Sequence, residues 1–330
     1  NKKFGNIFFS GISFNSSKIK KNNIFFAIKG NKIDGNNFIS IAIKKGSKII
    51  ITEKKVKEFQ NGILFIHTKN IRKLLSEVSF KIFNRIPKNL IAVTGTNGKS
   101  SIADFYYQIL KLNNKRVASI GTLGVKSSSL NLDLSNTTID PIQLGEILKK
   151  LKHQRIDNVI MEASSHGLKQ NRLDGLKFNS GIFTNLSQDH LDYHKNLNDY
   201  LNAKLYLFRN LIKKKGNIIT DDEIPEFKTI NKIAKKKRLK IITLNDKKND
   251  FRILSHSFKG EIQLLKIKYN NSIKEINLNL IGKIQLKNIL MAIFAAKKII
   301  NLKKILDTIE KIKPVEGRFE NIGKIKNKSK

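Results

Sequence analysis

Residues 91–101, IAVTGTNGKSS, form a glycine-rich segment whose spacing departs from a common phosphate-binding pattern. The Walker A pattern G-x-x-x-x-G-K-[ST] places its first glycine at position 93, where this chain has Val93; the glycine comes two residues later, at Gly95. The end of the pattern, Gly-Lys-Ser, is present at residues 98–100. Backbone amides and a lysine bind phosphate, and a serine hydroxyl binds Mg²⁺. The segment therefore predicts a shortened phosphate-binding loop; the alternative is an ordinary turn with a chance Gly-Lys-Ser.

Two further segments place carboxylates and imidazoles after predicted strands. In MEASSHGLKQNR, residues 161–172, Glu162 lies at the end of a strand. The segment TNLSQDHLDYH, residues 184–194, offers Asp189, His190, Asp192 and His194. Ligands bind at the carboxyl ends of parallel strands, and oxygen and imidazole ligands suit a Mg²⁺-type site better than a zinc site. Each residue alone is usually solvated or packed in a core, but beside a phosphate-binding loop they predict a phosphoryl-transfer site.

A predicted helix at residues 197–211 carries a lysine among its apolar positions. Its buried stripe is predicted to consist of Leu197, Leu201, Lys204, Phe208 and Leu211. Lysine is rarely buried without a partner, because desolvation of an ammonium is costly. The helix alone favours a Lys204 side chain that extends its ammonium to solvent. The alternative is a lysine whose charge is neutralised or altered because it serves a site.

The elements that must position these residues alternate between strand and helix from Leu90 onward. Strands are predicted at residues 89–93, 116–121, 158–163, 180–186 and 216–220. Helices are predicted after Ser100 and at residues 141–154 and 197–211, because apolar side chains recur there at helical spacing. This alternation predicts a mainly parallel sheet with helices on both faces.

The chain as a whole is predicted to be an α/β protein with two ordered domains. Residues 1–86 form a small N-terminal α/β domain, with strand-like segments on either side of a helix. Residues 87–313 form a P-loop-type central domain, in which alternating segments at 261–269 and 272–282 predict a small antiparallel addition before two helices. Residues 314–330 are predicted to begin a linker.

The composition restricts the possible partners. The chain has 64 basic and 26 acidic residues, for a net charge of +38, which is typical of nucleic-acid binding. The lysines are scattered, however, and accompany abundant Ile and Asn, which favours a bias toward A/T-rich codons; no specific nucleic acid is expected. Cysteine is absent, so disulfides and thiolate metal sites are excluded. No apolar run is long enough to span a bilayer, and we expect a cytoplasmic protein without a membrane partner.

The quoted motifs resemble the Mur ligase family. TGTNGKS is similar to the short phosphate-binding loop of that family, which accounts for the departure from Walker A spacing. The stretch MEASSHGLKQNRLDGLKFNSGIFTNLSQDHLDYH, followed by YLNAKLYLF, resembles the branch that adds the third peptide residue to UDP-N-acetylmuramoyl-L-alanyl-D-glutamate. Other Mur ligases and folylpolyglutamate synthases share the loop and the D-H-L-D block less completely. The resemblance extends from about residue 10 to the end of the chain.

The resemblance implies a set of site residues. Those implied for ATP are Thr94, Gly95, Thr96, Asn97, Gly98, Lys99, Ser100 and Asn288. Those implied for catalysis are Lys99, Glu162, His190 and Lys204, and those for Mg²⁺ are Ser100, Glu162, His190 and Lys204, with Lys204 carbamylated by CO₂. Those implied for the sugar-nucleotide substrate are Ser16, Asn31, Lys32, Ile33, Asn136, Thr137, Thr138, Ser164, Gln170 and Arg172.

The activity that the resemblance implies is ATP-dependent amide ligation in peptidoglycan precursor synthesis. The partners would be UDP-N-acetylmuramoyl dipeptide, ATP and a diamino acid, either meso-diaminopimelate or lysine, and the protein would act as a monomer. The substrate carboxylate would become an acyl phosphate, which the amine of the diamino acid then attacks. Positioning and electrostatic stabilisation would supply most of the catalysis.

The sequence departs from the family pattern at three places. The family's D-S-R reads Asn15-Ser16-Ser17 here, and its G-x-F-N reads Gly282-Lys283-Ile284-Gln285. The sequence stops after the block at 317–320 that introduces the family's C-terminal domain, so we expect the first two domains of a ligase, inactive alone. Two alternatives stay open: a ligase that extends folate with glutamate, and a non-catalytic nucleotide-binding fragment.

Overall fold

The computed structural model describes residues 8–30, 33–246, 251–260, 262–270, 272–315 and 317. The strands are β1 (Gly11–Ser13), β2 (Asn23–Phe26), β3 (Ile49–Thr52), β4 (Phe59–Gln60), β5 (Ile63–His67), β6 (Asn89–Thr94), β7 (Val117–Gly121), β8 (Gly124–Ser127), β9 (Asn158–Glu162), β10 (Phe178–Phe183), β11 (Ile212–Thr220), β12 (Lys240–Thr243), β13 (Phe251–Lys259), β14 (Ile262–Tyr269) and β15 (Ser272–Leu278). The α-helices are α1 (Ile39–Lys44), α2 (Ile71–Ile82), α3 (Lys99–Leu112), α4 (Pro141–His153), α5 (Ser165–Lys169), α6 (Leu197–Tyr206), α7 (Phe227–Lys237), α8 (Lys283–Ala296) and α9 (Leu302–Thr308).

The chain divides into two compact units. The first comprises residues up to 86 together with residues 139–150 and 170–176. The second comprises the rest, namely residues 87–138, 151–169 and those from 177 onward. The two added segments of the first unit lie within residues 87–313, the range predicted for the central domain. Of the predicted linker, residues 316 and 318–330 lie outside the described part of the chain.

The first unit is built on a five-stranded sheet with the order β1-β2-β3-β5-β4, in which β4 alone is antiparallel to its neighbour. Successive side chains of β2 point to opposite faces, as strand geometry requires. Phe26 packs with Leu75 of α2 in one apolar cluster, whereas Phe25 packs with Ala42 of α1 in another. Ile142 of α4 packs against the α2 cluster, which explains why residues 139–150 belong to this unit.

The second unit is built on a seven-stranded sheet with the order β12-β11-β10-β6-β9-β7-β8. All its neighbours pair in parallel except β7 and β8. Helices α3 and α8 contribute to one large apolar core with the sheet, and β13, β14 and β15 form a separate antiparallel sheet. The prediction of an α/β chain with mainly parallel sheets and a small antiparallel addition is confirmed.

The central strands of this sheet end where the candidate residues begin. β6 ends at Thr94, directly before the glycine-rich loop, and the neighbouring strand β9 ends at Glu162. β10, on the other side of β6, ends at Phe183, directly before the TNLSQDH segment. Because these three strands are parallel, their carboxyl ends meet at one edge. In the described residues, no helix combines the length and the apolar character that crossing a bilayer requires.

Candidate functional site

A cavity of about 110 Å³ lies at this carboxyl edge of the second unit. We call it the loop cleft, because the glycine-rich loop forms one of its walls. Its lining includes these predicted site residues: Thr96, Asn97, Gly98, Lys99, Ser100, Thr137, Glu162, Ser164, His190 and Lys204. Its lining also includes four residues that were not predicted: Ser101, Thr122, Ser165 and Tyr200. The structure therefore brings most of the predicted ATP, metal and catalytic residues to one cleft.

The loop itself has the conformation of an anion-binding helix start. Gly98 is the N-cap residue of α3 with a φ of 88°, and no side chain caps the helix. The first amides of a helix lack partners within the helix, and the helix dipole favours an anion there. A Cβ at Gly98 would lie 2.5 Å from Oδ1 of Asn288, so glycine is required at this position. The loop wall of the cleft thus offers backbone donors to a phosphate.

A second segment, residues 184–187, holds the loop in place. The backbone amide of Asn97 donates to Oδ1 of Asn185 at 3.0 Å, and the hydroxyl of Thr184 donates to the carbonyl of Asn97 at 2.6 Å. The amide of Thr96 donates to the carbonyl of Asn185 at 3.0 Å. A Cβ at Gly95, whose φ is 146°, would lie 1.8 Å from Oγ1 of Thr184. Close contact with this segment therefore explains why the glycine stands at position 95.

The bracing role of the 184–187 segment was not predicted. The prediction for the longer segment, residues 184–194, depends on its acidic residues and histidines, none of which lies within 184–187. Thr184 and Asn185 stand directly after a buried strand, and this position was the signal that could have identified them. Thr94, also predicted at the ATP site, is the buried last residue of β6, and its hydroxyl has no partner among the described residues.

Two lysines of the cleft converge on one carbonyl group. Nζ of Lys99 donates to the carbonyl of Gly95 at 3.0 Å and to that of Thr96 at 2.7 Å. Nζ of Lys204 donates to the same Gly95 carbonyl at 2.7 Å. Two ammonium groups so close together repel each other, and removal from water makes the repulsion stronger. One of the two amines is therefore favoured in its neutral form.

Lys204 is the amine that loses its proton more readily. Its side chain is 1% exposed, and its Nζ lies 4.0 Å from the ring centroid of Tyr200. Burial, with a further contribution from the charge of Lys99, lowers the pKa of Lys204 from 10.5 to about 6. The expectation that this side chain extends to solvent is wrong, because α6 turns the residue into the cleft.

The apolar stripe predicted for the helix at 197–211 is correct only in part. Phe208 and Leu211 are buried with Lys204, but Leu197 at the helix start is 42% exposed. The α-helix ends at Tyr206, and a π-helical turn continues over Leu207–Leu211. The prediction therefore fails at the start of the α-helix, whereas Phe208 and Leu211 in the π-helical turn are buried as predicted.

Glu162 is a buried carboxylate without a basic partner among the described residues. It is 3% exposed, its Oε1 accepts from the amide of Thr122 at 2.8 Å, and its Oε2 accepts from the Thr122 hydroxyl at 3.3 Å. A Cβ at Gly121 would lie 2.2 Å from Oε1, so the small residue at the end of β7 makes room for the carboxylate. A buried charge normally has a partner. The carboxylate therefore suits a cation that arrives with a ligand.

His190 lies in the cleft in an unusual backbone conformation. Its φ is 53°, which is uncommon for a residue with a side chain and is found preferentially at functional sites. Its ring is half-exposed, with Nε2 3.5 Å from Oδ2 of Asp189, and it contacts the ring of His166 edge-on with centroids 4.9 Å apart. The structure therefore places this imidazole on the accessible side of the cleft.

A buried hydrogen-bonded pair lies behind the cleft wall. Nε2 of His194 is 3.0 Å from Oγ of Ser165, which lines the cleft, and Nδ1 is 3.5 Å from Oδ2 of Asp199. Burial, together with the charge of Lys169, lowers the pKa of His194. Since Asp199 lies on α6, these contacts connect the helix that carries Lys204 to the start of α5.

The residues predicted for the sugar-nucleotide substrate fall in both units. In the second unit, Thr137 and Ser164 line the loop cleft. Thr138 is buried behind it and donates to the carbonyl of Glu162 at 3.0 Å, whereas Asn136 is exposed. Of these four predicted residues, Thr137 and Ser164 therefore line the cleft, Thr138 supports the cleft from behind, and Asn136 lies at the surface.

The remaining substrate predictions lie in the first unit or outside the described residues. Ser16 is half-buried, and Ile33 is 62% exposed. The guanidinium of Arg172 donates to Oε1 of Gln170 from Nε at 3.1 Å and from the terminal nitrogen Nη2 at 2.8 Å. The other two, Asn31 and Lys32, lie outside the part of the chain that the structure describes.

Asn288, predicted on the adenine side, lies on α8 against the loop. It is buried, its Nδ2 donates to Oε1 of Gln285 at 3.0 Å, and its Oδ1 faces Gly98. Gln285 is one of the residues at which this sequence departs from the family's G-x-F-N pattern. Its side-chain oxygen accepts this hydrogen bond and so orients the amide of Asn288. Within the described ranges, no three His, Asp or Glu side chains are grouped closely enough to hold a metal on their own.

Comparison with known proteins gives consistent matches over nearly the whole chain. Residues 93–296 match the Mur ligase middle domain, and residues 9–88 match the model described as Mur ligase family, catalytic domain. UDP-N-acetylmuramoyl-L-alanyl-D-glutamate--2,6-diaminopimelate ligase of Rickettsia typhi is 35% identical over 98% of this chain and 66% of its own length. The chain thus spans just under two thirds of the length of that relative.

Solved structures extend the comparison to the fold. A structure of a UDP-N-acetylmuramoyl-L-alanyl-D-glutamate--2,6-diaminopimelate ligase superposes with a TM-score of 0.83 at 27% identity, over 94% of this chain and 64% of that one. The apo form of a folylpolyglutamate synthase from L. casei superposes with a TM-score of 0.61 at 13% identity, over 76% of this chain and 70% of that one. The latter match shows a common fold only.

Gly95→Ala tests the contact between the loop and the 184–187 segment. The added Cβ would overlap Thr184, so we expect the loop to shift and the affinity for ATP to fall about tenfold or more. Gly62→Ala is the matched control, because Gly62 also has a positive φ, of 76°, but has no atom within 4 Å of an added Cβ. Isothermal titration with ATP measures both variants. Affinity unchanged in Gly95→Ala would show that the contact does not shape the loop.

The lowered pKa of Lys204 predicts a pH dependence of stability. Between about pH 6 and 10.5 the unfolded chain binds a proton that the folded protein lacks, so Lys204 makes the free energy of unfolding rise with pH in this window. Below about pH 6 both states are protonated, and the cost of burying the charge is present in full. In Lys204→Met this contribution is absent. The free energy of unfolding should therefore rise less steeply with pH, by up to about 1.4 kcal/mol per pH unit.

Urea unfolding at several pH values measures this difference in slope. Lys232→Met is the control, because Lys232 is exposed on α7 and should leave the slope as it is in the unaltered protein. Equal slopes for Lys204→Met and the unaltered protein would mean that Lys204 keeps an ordinary pKa.

Proposed function

The chain belongs to the Mur ligase family, and on this premise we propose that it carries the nucleotide-binding and sugar-nucleotide-binding parts of an ATP-dependent amide ligase. The substrate would be UDP-N-acetylmuramoyl-L-alanyl-D-glutamate, and the amino acid added would be 2,6-diaminopimelate, as the name of the Rickettsia relative states for that protein. The observation that carries the proposal is the loop cleft, in which a phosphate-type loop faces Glu162 and Lys204.

The loop is proposed to bind the phosphates of ATP. The uncapped start of α3 supplies backbone donors, and Lys99 supplies a positive charge within the loop. Asn288 lies against Gly98 and would approach the base. Charge-assisted hydrogen bonds of this kind are the stronger ones in proteins, so we assign most of the affinity for ATP to this wall.

The residues present fit a magnesium ion that is shared with phosphate oxygens. Glu162 is buried without a basic partner in the described residues, and the hydroxyl of Ser100 lines the same cleft. Mg²⁺ is usually bound by one or two carboxylates and substrate phosphates rather than by an all-protein cage, which agrees with the lack of a larger acidic cluster in the described residues. Ser100 and Glu162 would hold one ion, and Glu162, His190 and carbamylated Lys204 a second. When bound, Mg²⁺ neutralises charge on the phosphate oxygens.

Lys204 is proposed to react with CO₂. The attacking species must be the neutral amine, and burial in the cleft favours that form. A new bond forms between Nζ and the carbon of CO₂, and a proton leaves the nitrogen, so an ammonium is replaced by a carbamate anion. The change removes the repulsion toward Lys99, which shares the Gly95 carbonyl with Lys204.

The reaction proposed for the complete enzyme has two steps. An oxygen of the D-glutamyl carboxylate attacks the γ-phosphorus of ATP, the bond to ADP breaks, and an acyl phosphate forms. The amine of the diamino acid then attacks the acyl carbon, phosphate leaves, and the nitrogen releases a proton as the amide forms. Lys99 and the amides at the start of α3 would stabilise the charge on the phosphoryl oxygens. Thr137 and Ser164, which line the loop cleft, would orient the substrate there. The planar guanidinium of Arg172 suits a carboxylate or a phosphate group. That the protein acts as a monomer in the cytoplasm stays a prediction.

Ligand binding to this chain tests the proposal. We expect saturable binding of ATP with Mg²⁺ and of UDP-N-acetylmuramoyl-L-alanyl-D-glutamate, and no comparable binding of a folate, measured by isothermal titration. Lys99→Ala should weaken ATP binding about tenfold or more, because a hydrogen bond to a charged group is lost. Lys111→Ala is the control, since Lys111 is exposed on the same helix. Preference for a folate over the UDP-linked dipeptide, or a Lys99→Ala variant with unchanged affinity, would contradict the assignment.

A further inference from the structure

A second cavity, of about 290 Å³, lies at the opposite edge of the seven-stranded sheet. We call it the amino-edge cavity, because its strand residues lie at or near the amino ends of β6 and β10 and in the first half of β11. Its lining consists of Asn89, Ile91, Tyr106, Asn179, Ser180, Lys213, Lys214, Lys215, Gly216, Ala295, Lys298 and Ile299. None of these residues belongs to the loop cleft, so the proposed ligase function leaves this cavity unexplained.

Tyr106, one of the residues that line the amino-edge cavity, carries a buried hydroxyl without a hydrogen-bond partner in the described part of the chain. Tyr106 of α3 is 0% exposed, and its hydroxyl forms no hydrogen bond within the described residues. Burial raises the pKa of Tyr106 well above its usual value, so the group remains a neutral donor. A buried donor without an acceptor lowers the stability of the folded protein, and phenylalanine would fill the same space without that cost. The hydroxyl is therefore better suited to a ligand than to the fold.

A bulge in β11 places three lysines in a row in the cavity wall. Ile212 pairs with Phe178 and Asn217 pairs with Ser180, so four residues of β11 stand opposite the single residue Asn179. Lys215 adopts a φ of 61°, a conformation that residues with side chains rarely take. Such bulges are often found where a side chain must be redirected at a functional site.

The positive charge of the wall is not compensated locally. The Lys213 ammonium donates to the side-chain oxygen of Asn179 at 3.0 Å, whereas the side chains of Lys214, Lys215 and Lys298 form no hydrogen bond or ion pair with the described residues. Burial, and then the charge of Lys240, lowers the pKa of Lys298, and no acidic residue of the described ranges lines the cavity. Scattered lysines are expected from the composition of this chain, but the bulge and the buried hydroxyl are independent of it. The wall therefore presents a site for a negative charge.

We propose that the amino-edge cavity binds a small organic anion whose apolar body carries a hydrogen-bond acceptor. The carboxylate or phosphate group of the ligand would lie among Lys214, Lys215 and Lys298, and the apolar body would contact Ile91, Ala295 and Ile299. The acceptor would receive the hydrogen bond of Tyr106. The volume lies at the lower end of the range for ligand pockets, which fits a single metabolite-sized molecule rather than a polymer.

The probe 4-hydroxyphenylacetate has the three required features: a carboxylate, an apolar ring and a hydroxyl oxygen that can accept a hydrogen bond. Changes in the backbone amide chemical shifts of a deuterated, ¹⁵N-labelled sample show where the probe binds. We expect saturable shifts at Ser180, Gly216 and Ala295, and none at Gly98 or Ser100 in the loop cleft. Two controls separate the features: 4-hydroxyphenylacetamide lacks the charge, and acetate lacks the apolar body. Both should bind at least tenfold more weakly than the probe.

Tyr106→Phe gives the most direct test. The hydroxyl is removed and the ring remains, so the affinity for 4-hydroxyphenylacetate should fall about three- to tenfold, while the melting temperature of the free protein stays equal or rises. Lys298→Gln should weaken binding by a similar factor, and Lys232→Gln on α7 should not.

Three results would overturn the proposal: no saturable shifts around the amino-edge cavity, equal binding of the uncharged amide, or an unchanged affinity in Tyr106→Phe. A fall in the melting temperature of Tyr106→Phe would also count against it, since the hydroxyl would then serve the fold. The outcome does not depend on the ligase assignment, because ATP and the UDP-linked substrate are absent from the experiment.

Discussion

The carbonyl oxygen of Gly95 accepts hydrogen bonds from two lysine ammonium groups, and the chemistry of the cleft depends on this arrangement. Lys99 belongs to the loop and Lys204 to α6, so one acceptor connects the two walls of the site. Two positive charges in a buried space repel each other, and the more deeply buried one loses its proton first. The fold thus places Lys99, which suits phosphate, beside Lys204, whose lowered pKa favours the neutral amine and suits covalent modification.

The shared carbonyl requires a loop whose shape is fixed from outside. The 184–187 segment holds both Thr96 and Asn97, and its Thr184 leaves no space for a side chain at position 95. Asn288 of α8 likewise leaves no space for a side chain at position 98, where the chain has Gly98. The shortened glycine spacing is therefore a consequence of packing against two neighbouring elements, and the loop does not need the first glycine of the Walker A pattern.

The sequence identified the loop, the α/β alternation and most residues of the cleft, because these features are local or depend on strand ends. It did not identify contacts that depend on three-dimensional packing. Tyr200 and Thr122 were missed for that reason, and His194 was named among the candidates without its burial behind the cleft wall. Leu197, predicted to be buried, is 42% exposed at the start of α6. The position of residues 139–150 in the first unit could not be predicted from the sequence either, because it depends on the apolar core that Ile142 packs against. For Lys204 the prediction was correct in one respect only. The sequence placed it in the apolar stripe of the helix, but it did not show that the side chain is buried.

The most direct measurement of the central claim is a ¹³C NMR spectrum of the protein in ¹³C-labelled bicarbonate at neutral pH. If Lys204 is a buried neutral amine, the spectrum contains a carbamate resonance that disappears in Lys204→Arg, whose guanidinium does not form a carbamate under these conditions. Signals from the terminal amine or from surface lysines persist in both samples and are removed by subtraction. A difference spectrum without a carbamate resonance would contradict the account, because the cleft would then hold an ordinary ammonium at position 204.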